Sequence, residues 1–168
     1  MPERKPNRLE NFDYSAAGAY FITICTHRRR KILSQIRVGE AICLPQDQNC
    51  ILHLTEWGKT VRRAIDNISN VYPSVTVDSY VIMPNHVHLI LRIEHPEGGR
   101  QVASPTISTI VGNMKWTVSK TIGQGIWQRS FHDHVIRDGK DYNKIADYIA
   151  ANPMNWELDC FYSEAEEL

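Results

Sequence analysis

The sequence predicts an α+β fold, a ferredoxin-like split β-α-β sandwich in which helices cover one face of an antiparallel sheet. The first observation is the order of the elements, which reads strand, helix, strand, strand, helix, strand. The second is a turn signal, Pro84-Asn85, between two apolar β-rich runs. The third is a chain of 168 residues with 42% hydrophobic content, which fits a single domain over residues 1–168. An inserted hairpin and an added C-terminal helix complete the predicted architecture.

The N-terminal part of the chain predicts an arm, a strand and a hairpin. Residues 1–18 are polar and irregular, which indicates a loosely ordered arm. Residues 19–26 are rich in aromatic and β-branched side chains and predict a strand. Residues 41–44 and 51–54 predict the two short strands of a hairpin around a polar stretch that contains Pro45.

An amphipathic helix and two strands are predicted in the middle of the chain. Residues 56–68 predict the helix, with Thr55 as its N-cap. Its apolar stripe, at helical spacing, consists of Trp57, Val61, Ala64, Ile65 and Ile68. Residues 75–83 and 86–93 predict the strands on either side of the turn signal. Because residues 86–93 are almost continuously apolar, we expect them to form a central strand.

The C-terminal part predicts a helix, a strand and a last helix. Ser104-Pro105 indicates an N-cap followed by proline at the first helical position, and Gly123 ends this helix. Its buried stripe consists of Ile107, Ile110, Val111, Met114, Val118 and Ile122. Residues 126–136 predict the last long strand. Residues 140–151 predict the final helix, which Pro153 ends.

Composition limits the class of protein. No apolar run approaches the roughly 18 residues that span a bilayer, and the N-terminus lacks the apolar core of a signal peptide, so we expect a cytoplasmic protein with no membrane partner. The four cysteines form no Cys-x-x-Cys pair, which favours reduced thiols over a disulfide framework or a zinc site. The net charge is zero, although residues 1–37 hold eight cations against three acids and residues 154–168 hold five acids and no Lys or Arg.

Two histidines open the predicted central strand. Because side chains alternate along a strand, His86 and His88 point to one face while Val87 points to the other. Two neighbouring imidazoles on a rigid strand can hold a divalent cation. The alternative is a pair of structural histidines at the end of a sheet.

Basic side chains occur in two places where they can bind phosphate groups. The first is a run of four cations after the first strand, Arg28, Arg29, Arg30 and Lys31. The second is the long helix, on which Lys115 and Lys120 lie off the apolar stripe. A solvated loop and a solvated helix face are the alternatives.

The final helix carries a tyrosine and an asparagine four residues apart. Tyr148 and Asn152 therefore share one face of the helix, and Lys144 lies one turn earlier. Tyrosine on an amphipathic helix is usually a core or rim residue, and an asparagine before proline is usually just a helix end.

Three separated segments together resemble the signatures of the single-tyrosine HUH transposases, and in particular the REP-associated tyrosine transposases. The segments are residues 80–91 (YVIMPNHVHLIL), 127–137 (WQRSFHDHVIR) and 148–153 (YIAANP). Residues 20–28 (YFITICTHR) also resemble the first strand of that family. The resemblance covers roughly residues 19–156, in the expected order.

This resemblance implies a role for each matched residue. His86 and His88 would be metal ligands, Asn152 the third ligand, and Tyr148 the nucleophile that forms a 5′-phosphotyrosine link and releases a 3′-hydroxyl. Related enzymes act on single-stranded DNA next to imperfect hairpins and use Mg²⁺ or Mn²⁺. Arg129, in the Trp-Gln-Arg signature, would contact DNA or order the edge of the site. Some relatives are homodimers that exchange the tyrosine helix and others are monomers, so the dimer is left open.

Elementary chemistry adds two expectations about the metal. Imidazole and amide ligands suit Mg²⁺ less than carboxylates and waters do, so Mn²⁺ should support activity at least as well. Because metal binding requires neutral histidines, activity is expected to fall below about pH 6.5.

Two other functions compete with a DNA strand transferase. One is a metal-dependent phosphoesterase that uses water as nucleophile and four histidines, His86, His88, His132 and His134. The other is a non-catalytic nucleic-acid-binding module on which Tyr20 and Phe21 stack against bases.

Overall fold

The structure, a computed structural model, describes residues 12–38, 50–94 and 105–162. Its strands are β1 (Gly18–Cys25), β2 (Ser34–Val38), β3 (Cys50–Leu54), β4 (Val75–Ile82), β5 (His86–Ile93) and β6 (His132–Ile136). Its α-helices are α1 (Glu56–Asp66), α2 (Ile68–Val71), α3 (Ile107–Ile122) and α4 (Gly139–Ala151). This is the mixed, antiparallel architecture that the sequence predicts. No helix in these ranges is long and apolar enough to cross a membrane.

The main sheet has four strands in the order β4-β5-β1-β6, and every neighbouring pair is antiparallel. β5 is an inner strand between β4 and β1, as its continuous hydrophobicity predicts. β2 and β3 form a separate two-stranded hairpin. An inner strand has hydrogen-bonded neighbours on both sides, so the side chains of β5 are held in fixed positions.

The two faces of the sheet carry different layers. One face packs against α1 and α3 and forms the larger core, which includes Val87, Leu89 and Leu91 of β5. The other face packs against α4, through Ile145 and Ile149. The helix that carries the tyrosine therefore lies on the face to which the two histidines point.

Helix α1 begins as predicted but ends earlier. Thr55 is its N-cap and its hydroxyl accepts a hydrogen bond from the Gly58 N–H at 3.1 Å. The helix ends at Asp66, and a separate short helix, α2, follows it, so the single helix predicted over residues 56–68 was too long. A Cβ on Gly58 would lie 2.0 Å from the Leu33 carbonyl oxygen, so only glycine allows this close approach of helix and loop.

The structure also corrects the predicted hairpin and the predicted start of α3. The first hairpin strand is Ser34–Val38, paired with Cys50–Leu54, whereas residues 41–44 lie outside the described residues. Helix α3 begins at Ile107, and Thr106 is its N-cap, with its hydroxyl accepting from the Thr109 N–H at 3.2 Å. Ser104, the predicted cap, lies outside the described residues.

The last strand is shorter than predicted. Only His132–Ile136 pairs with β1, and Trp127 contributes one isolated bridge to Thr26. The residues between them form a loop because their carbonyls bind a side chain rather than a neighbouring strand. The Lys115 ammonium group donates to the carbonyl oxygens of residues 128–130, at 2.6, 3.3 and 3.3 Å.

Candidate metal and tyrosine site

The two histidines lie side by side at the start of β5, on the face that α4 covers. Both side chains are buried, and their ring centroids are 4.4 Å apart. Val87 between them is buried in the core on the opposite face, as alternation along a strand predicts. The histidine pair is therefore part of the sheet's structure and has little freedom to move.

A neighbouring asparagine orients His86. The Nδ1–H of His86 donates to Asn85 Oδ1 at 2.8 Å, and Asn85 Nδ2 donates to the carbonyl oxygen of Phe161 at 2.9 Å. Because Nδ1 carries the proton of the neutral ring, Nε2 keeps its lone pair. In the described part of the chain, this buried Nε2 has no hydrogen-bond partner. The sequence offered Asn85 only as a turn signal, and its role in fixing His86 was missed.

Thr23 of β1 and Tyr148 of α4 contact the second histidine from opposite sides. Thr23 Oγ1 is hydrogen-bonded to His88 Nδ1 at 2.8 Å, and Tyr148 Oη lies 3.3 Å from His88 Nε2. Thr23 is the residue of β1 that is paired with His88, so the contact follows from the strand register. It was missed in the sequence because register cannot be read from one strand.

Helix α4 presents Tyr148 and Asn152 to the histidines. Asp138 caps the helix by accepting from the Asp141 N–H at 2.8 Å, and the buried Ile145 and Ile149 fix its rotation on the sheet. Asn152 is 2% exposed and Tyr148 is 40% exposed. The tyrosine therefore reaches the histidines at a place open to solvent, while the asparagine is enclosed.

An aspartate that sequence reasoning missed joins these groups. Asp159 Oδ2 accepts hydrogen bonds from Tyr148 Oη at 3.0 Å and from Asn152 Nδ2 at 2.7 Å. The same oxygen lies 4.0 Å from His86 Nε2, and the Asp159 side chain is fully buried. The only sequence signal for Asp159 was its place among the five acids of residues 154–168, which does not distinguish it from its neighbours.

These side chains make a group suited to a divalent cation. One ligand atom from each of His86, His88 and Asp159 lies within 4.8 Å of the other two. Asn152 Oδ1 is buried and, among the described residues, has no hydrogen-bond partner. Two imidazole nitrogens and one carboxylate oxygen thus lie together, and Asn152 is bonded to the same carboxylate through Nδ2. His86 Nε2 and Asn152 Oδ1 have lone pairs available.

Burial shifts the ionisation of all four groups. It lowers the pKa of His86 to about 4 and the pKa of His88 to about 3, so both rings are neutral at neutral pH. Burial and the nearby Asp159 carboxylate raise the pKa of Tyr148, which keeps its hydroxyl protonated. Burial also raises the pKa of Asp159, but hydrogen bonds from the Phe161 N–H, Asn152 and Tyr148, and the neighbouring His86, bring it below its ordinary value. The expected acid threshold near pH 6.5 therefore moves down, because these histidines stay neutral to lower pH.

Residues 159–162, here called the tail segment, cover the histidines. The Phe161 ring centroid lies 4.8 Å from that of His86 and 5.7 Å from that of His88. Arg29 lies over the Phe161 ring at 5.0 Å and donates to the Cys160 carbonyl oxygen at 3.2 Å. The basic turn after β1 thus holds the tail segment against the site.

The four cations of residues 28–31 lie at the same end of the sheet as the histidines, because Cys25 at the end of β1 is paired with His86. Arg28, Arg29 and Arg30 are exposed, and Lys31 lies over the Tyr162 ring at 5.1 Å. Arg129 is also exposed and follows Gln128, whose N–H donates to the Cys25 carbonyl oxygen at 2.9 Å. All five cations therefore follow or adjoin the end of β1 that lies beside the histidines, and Arg29 and Lys31 contact the tail segment itself.

The two lysines of α3 lie elsewhere. Lys115 is half-buried, and its hydrogen bonds to the carbonyls of residues 128–130 give it a structural role. Lys120 is exposed and lies over the exposed Trp116 ring at 4.7 Å. Helix α3 packs on the face of the sheet opposite the histidines, and the Lys115 ammonium group is taken up by these carbonyls.

The phosphoesterase and the nucleic-acid-binding module each depend on residues that the structure does not bring together in the way these functions need. Among the described residues, the metal-type group that contains His86 and His88 includes neither His132 nor His134. His134 Nε2 is instead hydrogen-bonded to Asp141 Oδ2 at 2.8 Å. Tyr20 is buried in the core and donates to the Ala16 carbonyl oxygen, so it cannot stack on a base. The structure therefore does not contain the four-histidine cluster among its described residues, and of the two aromatic residues predicted to stack on bases it excludes Tyr20.

Comparison with known proteins places the chain in a family, although no family model matches it. A REP-associated tyrosine transposase of Escherichia coli K12 is 28% identical over 142 residues, which are 84% of this chain and 69% of the relative. An uncharacterised protein of Haemophilus influenzae is 32% identical over an alignment 178 positions long, which covers 95% of this chain and 93% of the relative. The solved structure of a REP-associated tyrosine transposase bound to a REP hairpin has a TM-score of 0.61 and 26% identity, and the match covers 89% of this chain and 74% of that one. On this agreement of sequence and fold, the chain belongs to the REP-associated tyrosine transposases.

Proposed function

We propose that the protein cleaves and rejoins single-stranded DNA beside a hairpin, with Tyr148 as nucleophile and a divalent cation, Mg²⁺ or Mn²⁺, held by His86, His88 and Asn152. The observation that carries this proposal is the meeting of Tyr148 Oη and His88 Nε2, 3.3 Å apart, at the end of α4 and the start of β5. The hairpin partner is proposed because the solved relative is bound to a REP hairpin.

The reaction is an exchange of one phosphate ester for another. The Tyr148 oxygen bonds to phosphorus and loses its proton, the bond from phosphorus to the DNA 3′-oxygen breaks, and that oxygen takes up a proton. The product is a 5′-phosphotyrosine and a free 3′-hydroxyl, and attack by a 3′-hydroxyl on the phosphotyrosine rejoins a strand. Neither direction needs an external energy source, because the number of ester bonds is unchanged.

The residues present fit a divalent cation. His86 Nε2 and Asn152 Oδ1 are buried polar atoms without hydrogen-bond partners in the described structure, and such atoms are destabilising unless something binds them. A bound cation would polarise the phosphate and stabilise the charge that develops on its oxygens. The protein's part is to keep both imidazoles neutral, through their burial, and oriented, through the Nδ1 contacts with Asn85 and Thr23.

The cations at the edge of the site support binding of the DNA backbone. Arg28, Arg29, Arg30, Lys31 and Arg129 lie around the end of β1, where a strand that reaches Tyr148 would pass. We propose these five as phosphate contacts. Lys115 is not included because its ammonium group is used within the fold.

A covalent-adduct assay tests the proposed function. Wild-type protein is mixed with a library of hairpin-bearing single-stranded DNA and Mn²⁺, and protein–DNA adducts are resolved on a denaturing gel. We expect an adduct that is lost in Tyr148→Phe and with EDTA. The matched control is Tyr142→Phe, on the same helix but hydrogen-bonded to Asp78 away from the histidines, which should keep the adduct. Cleavage without an adduct, equal in Tyr148→Phe, would contradict the proposal and favour hydrolysis by water.

A further inference from the structure

We propose that Asp159 is a ligand of the same cation, and that the cation takes this carboxylate from Tyr148. The inference rests on the proposed function, because it adds a residue to the proposed metal site. It also assigns the tail segment a direct part in that site.

The position of Asp159 is that of a ligand to this cation. The Asp159 side chain is fully buried, and Oδ2 lies 4.0 Å from His86 Nε2. Two atoms that share one ion as ligands at about 2.0 to 2.3 Å are typically separated by about 3 to 4 Å, so this distance leaves room for an ion between them. The other oxygen, Oδ1, accepts from the Phe161 N–H at 2.7 Å, which fixes the plane of the carboxylate.

The negative charge of Asp159 also suits a divalent ion. His86, His88 and Asn152 are all neutral donors, so they bring no negative charge to a divalent ion. Asp159 is a buried carboxylate, and within the described ranges its ion-pair contact is with His86, 4.0 Å away, which is too long for a hydrogen bond. Buried charges are normally paired or bound to metals, and hard cations such as Mg²⁺ and Mn²⁺ prefer carboxylate oxygens. An ion beside Asp159 would give the buried carboxylate a partner and would give the cation the kind of oxygen that it prefers.

The coordination number of such ions leaves room for a fourth protein ligand. Octahedral ions such as Mg²⁺ take six ligands. The two histidines, Asn152 and Asp159 would supply four. Two positions would then be left for the oxygens of a DNA phosphate or for water, which a catalytic site needs.

The exchange follows from the other contacts of the same oxygen. Oδ2 now accepts from Tyr148 Oη at 3.0 Å and from Asn152 Nδ2 at 2.7 Å. A carboxylate oxygen that shares its charge with a cation is a weaker acceptor, and Asn152 must turn its own oxygen toward the ion to act as a ligand. Without a cation, the carboxylate therefore holds the tyrosine; with a cation, it holds the ion and the tyrosine is released to react.

Binding of Mn²⁺, measured by calorimetry and by electron paramagnetic resonance of the free ion, tests the ligand role without any DNA. We expect Asp159→Asn to bind Mn²⁺ at least about tenfold more weakly than wild type, since even outer-shell contacts of a metal site are worth tenfold or more. The matched control is Glu157→Gln, an exposed acid in the neighbouring turn, which should bind within about twofold of wild type. Equal or tighter binding by Asp159→Asn would overturn the proposal.

A second variant separates loss of a ligand from loosening of the tail segment. Phe161→Ala removes the ring that covers both imidazoles but keeps the Asp159 carboxylate. We expect its Mn²⁺ affinity to stay within about threefold of wild type. If Phe161→Ala weakened binding as much as Asp159→Asn did, the effect would be one of tail packing and the ligand role would be wrong.

Tyr148→Phe tests the exchange. It removes the hydroxyl that competes with the ion for Oδ2, so Mn²⁺ should bind about two- to tenfold more tightly, the equivalent of one ordinary hydrogen bond. Unchanged or weaker binding would refute the exchange.

His86→Ala distinguishes failure of this inference from failure of the proposed function. If His86→Ala binds Mn²⁺ like wild type, the proposed metal site itself is wrong. If His86→Ala loses binding while Asp159→Asn keeps it, the site stands and Asp159 is not part of it.

Discussion

Acid should unfold this protein through His86 and His88 in particular. Burial lowers their pKa values to about 4 and about 3, whereas an unfolded histidine titrates at about 6.5. As the pH falls below 6.5, both histidines become protonated in the unfolded chain, whereas in the folded chain they stay neutral. The contribution of the two neutral rings to the free energy of unfolding is thus fully present above about pH 6.5. It is lost as the pH falls toward the pKa values that the histidines have in the folded protein.

The size of the effect follows from these shifts. One pKa unit corresponds to about 1.4 kcal/mol, and two pH units of acidification from the midpoint give a loss of about 2 kcal/mol for each histidine. Between pH 6.5 and 4.5 the pair should therefore reduce the free energy of unfolding by about 4 kcal/mol. That is a large part of the roughly 5 to 15 kcal/mol that stabilises a typical domain.

Urea unfolding followed by circular dichroism, in EDTA at both pH values, measures this loss. Carboxylates also titrate in this range, so the informative quantity is the difference between wild type and variants. His88→Gln should remove about half of the histidine-linked loss, about 2 kcal/mol, whatever its stability at pH 6.5. The control is His132→Gln, an exposed histidine on the same face of the sheet, which should change the loss little.

An equal pH dependence for wild type and His88→Gln would contradict this prediction. It would mean that the folded protein protonates His88 as readily as the unfolded chain does. In that case the histidine face would be open to water, and the neutral, metal-ready state of both rings would have to be abandoned.

Three further outcomes are expected. Asn85→Ala removes the acceptor of the His86 Nδ1–H and should weaken Mn²⁺ binding about 10- to 100-fold in calorimetry. Gly58→Ala forces a Cβ against a carbonyl oxygen 2.0 Å away and should reduce the free energy of unfolding by about 2 kcal/mol or more, whereas Gly112→Ala, which meets nothing within 4 Å, should raise it by up to about 1 kcal/mol. Lys115→Met leaves the carbonyls of residues 128–130 without their donor and should lower the free energy of unfolding by about 1 to 3 kcal/mol, measured by calorimetry. No change would show that the loop keeps its conformation without Lys115.

Much of the fold could be predicted because its signals are local. Alternation along residues 86–93 placed Val87 in the core and the histidines on the other face, and Thr55 marked the start of α1 through its hydroxyl. The start of α3 was misplaced because Ser104-Pro105 and Thr106 are both good starting signals, and the structure caps the helix with Thr106. Local sequence signals do not show which of two adjacent residues will cap a helix.

The structure brings together the four residues that the resemblance pointed to, whereas no sequence signal singled out Asp159. His86, His88, Tyr148 and Asn152 meet as the resemblance implied, since a strand and a helix fix their directions. Asp159 follows a short 3₁₀ turn in a stretch without periodicity, 71 residues from His88 along the chain, and no local pattern shows where such a residue will fold. The long predicted strand over residues 126–136 failed for a related reason, because the Lys115 ammonium group binds its carbonyls from a distant helix.

Burying His86 and His88 opposes folding while it serves the site. The sheet holds two polar rings where apolar side chains of similar size would pack, and in the described structure one of their nitrogens has no partner. Such trade-offs are typical of active sites, where residues needed for activity lower stability. Replacing the two rings with leucine would gain apolar packing but leave Asn85 Oδ1 and Thr23 Oγ1 without their partners, so the variant should still fold, with a stability close to that of the wild type. A protein that has lost these histidines would therefore not be revealed by its expression level or its solubility.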